Sequence, residues 1–183
     1  GYDVEKAKSL LKETGITTIN LLCSDHGWFS AVRPIIRENL EALGVSVNYD
    51  EKKSSDVYSF VDGDQGAWDV VIAPGDPSVF GNDADLLLRW WYAGDTWTEQ
   101  RMHWKGSEAY TAVQTKLDEA VKLEGEAQIS TWQELFDLLS EQVPLYPIFH
   151  RKTPTAYNPQ TLVGFQPIAL TELSFGDIGS TAA

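Results

Sequence analysis

A single cysteine, Cys23, stands among 183 residues. An internal disulfide is therefore excluded, as is a zinc site built on a cysteine pair. The setting of Cys23, from Ile19 onward, is apolar and strand-like, and no motif ties it to a histidine with a supporting acid. It reads as a small core hydrophobe rather than a nucleophile. Histidines are few and scattered at His26, His103 and His150, without the i,i+4 spacing of metal ligands. Apolar runs are short, none nearing the roughly 18 residues that would cross a bilayer. Nucleophile elbows, phosphate-cradling glycine loops and dinucleotide fingerprints are missing. Asp62 to Gly66 (DGDQG) opens like a calcium loop but lacks the third ligand and the terminal glutamate, so it reads as a turn.

Positive charge is scarce too. Fourteen basic residues against 27 acidic ones leave a net charge of −13. That balance repels phosphate backbones and anionic lipid surfaces, which argues against nucleic acid as a partner. What is present is ordinary for a folded protein: 43% hydrophobic and 22% charged residues. The length suits one domain over residues 1–183, or one lobe of something larger. Because the chain opens at Gly1 without methionine, sequence upstream of it is expected.

The apolar spacing predicts a helix over residues 3–14, with Val4, Ala7 and Leu11 on one stripe and Gly15 as its stop. A strand follows from Ile16 to Cys23. Trp28, Val32, Ile35 or Ile36, Leu40 and Leu43 recur at helical spacing up to Gly44, and Pro34 either kinks that helix or starts it. Val45 to Tyr49 alternates as a strand, residues 50–65 suggest a short helix and loop, and Trp68 to Ala73 is the next strand. This rhythm predicts an α/β fold with βαβ units and a mainly parallel sheet. Beyond it, Asp83 to Tyr92 suits a short helix and Gly94 to Gly106 looks irregular. Two amphipathic helices follow, one on Tyr110, Val113, Leu117 and Val121, the other on Ile129, Trp132, Phe136 and Leu139. Leu145 to His150 (LYPIFH) reads as an edge or bulged strand. The tail over 176–183 is expected to be loose.

Two features suggest a binding site. Asp76 lies in a Pro-Gly-Asp-Pro turn just past the strand Val70 to Ile72, and ligands of open α/β sheets sit outside such strand ends. A carboxylate there can grip a ligand cation, worth about 1.5–3 kcal/mol; turn closure or helix capping, worth about 1 kcal/mol, is the alternative. The second feature is aromatic. Trp90, Trp91, Tyr92, Trp97 and Trp104 crowd into fifteen residues, and adjacent Trp90 and Trp91 cannot both point inward from one helix face. One of them is expected to be available to a ligand or another domain, unless the cluster is simply the core of a loop-rich region.

These residues also carry a resemblance. Tyr2 to Gly15 (YDVEKAKSLLKETG) resembles the YDPEKAKxLLxEAG segment of the family 5 extracellular solute-binding proteins, the oligopeptide- and dipeptide-type receptors of ABC importers. In the family's order follow LEALGVSV (Leu40 to Val47), WDVVIAPGDP (Trp68 to Pro77), SEQVPLYPIFHR (Ser140 to Arg151) and LVGFQP (Leu162 to Pro167). The resemblance implies the C-terminal lobe of a longer two-lobe protein, a type II periplasmic-binding-protein-like lobe with a mixed, mainly parallel sheet flanked by helices. It further implies an N-terminal lobe as partner, capture of a peptide or other small solute by interlobe closure, and delivery to an ABC permease. The location implied is extracytoplasmic, as a cell-surface lipoprotein or in a periplasm, with membrane contact only through a tether outside this sequence. No cofactor, metal or catalytic residue is implied.

In peptide-binding members an aspartate placed like Asp76 holds the peptide ammonium. Such members carry a tryptophan three residues earlier, where this sequence has Ala73, so Trp90, Trp91 or Trp97 would have to supply the aromatic wall. That departure leaves oligosaccharides and metal complexes open as ligands. The rival classes are a hydrolase pairing Asp76 with Asp83 or Asp95, and an intracellular sensor module.

Overall fold

The computed structural model describes residues 3–63, 68–74, 83–150, 152, 154–166, 176 and 178–181. These fall into two compact units, Gly1–Gly75 and Asp76–Ala183.

The first unit is built on a parallel sheet of three strands. Its elements run α1 (Val4–Thr14), β1 (Thr18–Ser24), α2 (Phe29–Glu41), β2 (Ser46–Lys52), α3 (Ser54–Asp62) and β3 (Val70–Ile72), in strand order β2-β1-β3. Thr18 lies opposite Ser46 and Leu21 opposite Val70. The central strand β1 buries Leu21, Leu22, Cys23 and Ser24 in succession, as expected for a strand covered on both faces. Alternation divides them. Leu21 and Cys23 join Phe29, Val47 and Ile72, with Ile36 and Leu40 of α2 packed alongside. Leu22 joins Val57 and Val61 of α3, with Phe60, Trp68 and Val71 beside them. Each fully buried leucine contributes about 1.5–3 kcal/mol. Cys23 is a buried free thiol, and desolvation raises its pKa.

Local signals explain the element ends. Asp3 caps α1 by accepting from the Lys6 N–H, and Gly15 ends it in the left-handed region at φ 71°, where a β-carbon would be strained. The helix α2 neither starts nor stops at Pro34 but runs through it. Pro34 is the sixth residue of that helix, so its ring removes one backbone donor from the interior. Of the two alternatives Ile35 and Ile36, the latter faces the core.

The second unit is mainly helical: α4 (Ala84–Tyr92), a π-helical turn (Thr96–Arg101), α5 (Glu108–Ala120) and α6 (Gly125–Gln142), then a two-stranded antiparallel ribbon of β4 (Leu162–Val163) with β5 (Gly179–Ser180). Its core joins Leu88, Tyr92, Val113, Leu117, Leu135 and Leu139, against which Trp91, Trp104 and Trp132 pack. Arg89 ties α4 to α5, reaching Asp85 at 2.7 Å and Asp118 at 3.0 Å.

Several expectations are corrected here. The stretch after Gly94 is irregular only in part: Thr96–Arg101 forms the π-helical turn, and beyond it the carbonyl of buried Thr98 accepts from the N–H groups of both Trp104 and Lys105. On α6 the buried stripe is Thr131, Leu135 and Leu139, while Ile129 and Phe136 are half exposed. Thr131 tolerates burial because its hydroxyl donates to the Ala127 carbonyl at 3.0 Å. Just past the end of α5, Val121 is exposed, and Ala120 takes the core position. Residues 145–150 form no strand; Tyr146 is 76% exposed. Gly179–Ser180, within the segment expected to be loose, pairs with Leu162–Val163.

Candidate ligand-binding site

Two places collect the side chains that can meet a ligand, one in each unit. In the first unit it is the carboxyl edge of the sheet. Strand β3 ends at Ile72, and Ala73 and Pro74 follow it, both partly buried. Asp76 lies outside the described residues, as does most of the DGDQG turn. At this edge Ser24, His26, Ser54, Val57, Tyr58, Ile72 and Pro74 line a cavity of about 90 Å³. Helix α3 begins there without a capping side chain of its own. Asp25, from the loop after β1, serves instead, accepting from the Ser54 N–H at 2.9 Å and the Ser54 hydroxyl at 3.0 Å. Those two hydrogen bonds hold the Asp25 carboxyl below its ordinary pKa. The Tyr58 hydroxyl donates to the Pro74 carbonyl at 3.4 Å, a long contact.

Sequence reasoning missed Ser24, Ser54 and Tyr58. The available signal was the placement of a serine at the last position of a buried strand, where the sheet opens to ligand.

The second place is aromatic. Trp90 and Trp91 diverge as helix geometry requires. Trp90 is 55% exposed, whereas Trp91 packs on the core and meets Trp97 at a ring separation of 4.3 Å. The Arg101 guanidinium lies over the Trp97 ring at 4.3 Å, a cation–π contact. Trp104 packs edge-on against both Tyr92 and Tyr110. The structure thus brings Trp91 and Trp97 together and leaves Trp90 apart from them. Ala73 belongs to the other unit.

The acids of a hydrolytic pair have other work. Asp83 caps α4 by accepting from the Leu86 N–H at 3.0 Å, and Asp95 accepts from the Lys105 ammonium at 2.6 Å. Among the described residues, no cluster of three or more His, Cys, Asp and Glu side chains is placed to hold a metal ion. Arg33 is engaged with the Glu51 carboxylate and lies over the Tyr49 ring.

No family model and no curated protein matches the chain, but solved structures do. NikA from Staphylococcus aureus, in complex with Ni(L-His)2, superposes with a TM-score of 0.63 at 16% identity, over 78% of this chain and 30% of that one. A periplasmic oligopeptide-binding protein of an ABC transporter from Thermotoga maritima, bound to mannohexaose, gives 0.60 at 18% identity, over 79% and 30%. DppA from Helicobacter pylori, an ABC transporter-associated periplasmic binding protein in complex with the peptide STSA, gives 0.57 at 16% identity, over 78% and 28%. The chain thus spans less than a third of the length of each of these structures. It has the periplasmic-binding-protein-like α/β fold, as found in part of the solute-binding proteins of ABC transporters.

Proposed function

We propose that this chain is the C-terminal lobe of the substrate-binding component of an ABC importer. It captures a small solute between two lobes and presents it to a membrane permease. The observation that carries this reading is the superposition of nearly four-fifths of the chain on under a third of binding proteins of that class. Those neighbours are binding proteins rather than enzymes. With Asp83 and Asp95 held by a helix terminus and a lysine, nothing favours the hydrolase or the sensor.

In this reading an N-terminal lobe supplies the opposite wall of the cleft, and burial of the solute stabilises the closed form. The whole protein works outside the cytoplasm, as a surface lipoprotein or in a periplasm. Asp76 supplies the charge for a ligand cation, with Ala73 at the strand end beside it in sequence. Trp90 offers an exposed ring for stacking, and Trp91 and Trp97 form a packed aromatic wall. The neighbours bind a nickel–histidine complex, an oligosaccharide and a peptide, so the fold leaves the solute class to the side chains of the site.

Small-angle scattering of the full-length protein, with and without mixtures of short peptides and of oligosaccharides, tests this reading. A receptor contracts with one mixture and returns its solute unchanged on denaturation. Conversion of the solute to product contradicts the reading.

A further inference from the structure

At the carboxyl edge of the sheet Ser24 carries a hydroxyl that the described residues leave unspent. It is 3% exposed, and its hydroxyl, wholly buried, has no hydrogen-bond partner among the described residues. A buried hydroxyl left this way lowers the stability of the fold. Strand alternation puts Ser24 on the face of Leu22, toward α3, and with Ser54, Val57 and Tyr58 of that helix it lines the 90 Å³ cavity. A single water needs only about 10–15 Å³ of such space, so a larger group has room.

We propose that this cavity receives a neutral hydroxyl-bearing group of the solute, with Ser24 Oγ as its hydrogen-bond partner. The inference rests on the solute-binding reading and narrows it. Charge selects neutrality. The Asp25 carboxylate already accepting at the start of α3 offsets the positive end of that helix, so neither an anion nor a cation meets an uncompensated charge there. Among the described residues lining the cavity none is a carboxylate, a lysine or an arginine. Hydrogen-bonding capacity selects a hydroxyl. The Ser54 hydroxyl donates its one hydrogen bond to Asp25 and is left to accept, whereas Ser24 can both donate and accept. A hydroxyl answers both.

Titration calorimetry on the full-length protein and its Ser24→Ala variant tests this with maltohexaose, tetraserine and tetraalanine. The two peptides carry the same charges and differ in hydroxyls; the hexasaccharide separates a sugar source from a seryl one. The expected result is binding of at least one hydroxylated probe in preference to tetraalanine. Ser24→Ala should weaken that probe about five-fold, the worth of one hydrogen bond, and leave tetraalanine unchanged. Equal affinities for tetraserine and tetraalanine with no binding of maltohexaose, an unchanged hydroxylated probe in the variant, or failure of all three to bind overturns the proposal. The receptor reading itself survives such a failure if the protein retains some other solute on purification.

A ligand-free measurement adds a second arm. Removing an unpartnered buried hydroxyl should leave the melting temperature unchanged or raise it. A lowered melting temperature would mean that Ser24 is held by a structural water only, and would overturn the proposal.

Discussion

The Asp25 carboxylate, on the loop after β1, accepts both the backbone N–H and the hydroxyl of Ser54, the first residue of α3. One side chain thereby caps a helix that lacks its own cap and fastens the edge of the sheet where the cavity lies. Asp25→Ala should lower the melting temperature at pH 7. The folded carboxyl titrates below its ordinary range because Ser54 bonds its charged form. Its contribution is thus fully present above an unfolded pKa of about 3.9 and is lost as pH falls through the lower folded value. Parent and variant should converge in melting temperature below that value; a difference that persists there would contradict the capping role.

Between α5 and α6 the core of the second unit is held by Leu117, Leu135 and Leu139 rather than by Ile129 and Phe136. Leu117→Ala, at a site with no exposure, should destabilise by about 2–5 kcal/mol. Phe136→Ala and Ile129→Ala, both on the half-exposed face of α6, should each lose less than about 1 kcal/mol. Denaturant titration ranks the three, and a reversed order would move the core to the other face.

Adjacent tryptophans should behave oppositely. Trp91, packed on the core and on Trp97, should lose about 2–3 kcal/mol of stability on replacement by alanine, somewhat less than a fully buried tryptophan. Trp90→Ala should leave stability within about 1 kcal/mol and weaken solute binding by the full-length protein. Equal stability losses at both positions would contradict the divergence of the two rings.

Helix α6 ends on Val143 at φ 47°, a left-handed conformation. That region disfavours a β-branched residue by about 1–2 kcal/mol. Val143→Gly should therefore stabilise the protein, by about 0.5–1 kcal/mol once the added freedom of the unfolded chain is allowed for. A lower denaturation midpoint would show that the valine side chain supplies more than its backbone strain removes.

Much of the architecture was legible because local and global signals agreed. Gly15 stops α1 where a left-handed residue is needed, and the apolar run from Ile16 to Cys23 reads as a strand, which the structure places at Thr18–Ser24. The Trp90–Trp91 pair announced one exposed ring. The misreadings arise where tertiary packing outvotes residue type. Thr131 is buried because its hydroxyl bonds back into the helix, which frees Ile129 to face outward. The sequence LYPIFH has the composition of a strand, but β-propensity reflects fit to a neighbouring sheet, and none of the described strands pairs with it. The cap from Asp25 to Ser54 spans 29 positions and leaves no periodic trace. The cavity residues share that non-local origin, converging from β1, α3 and the end of β3.

The central claim is that the full-length protein holds a solute without transforming it. Native mass spectrometry of that protein as purified, and of its Asp76→Asn variant, tests it most directly. The account predicts a non-covalent solute mass that dissociates intact, and that the variant loses if the solute is cationic. A bare protein that gains no mass from peptides, oligosaccharides or metal complexes, or that converts one of them to product, would contradict it.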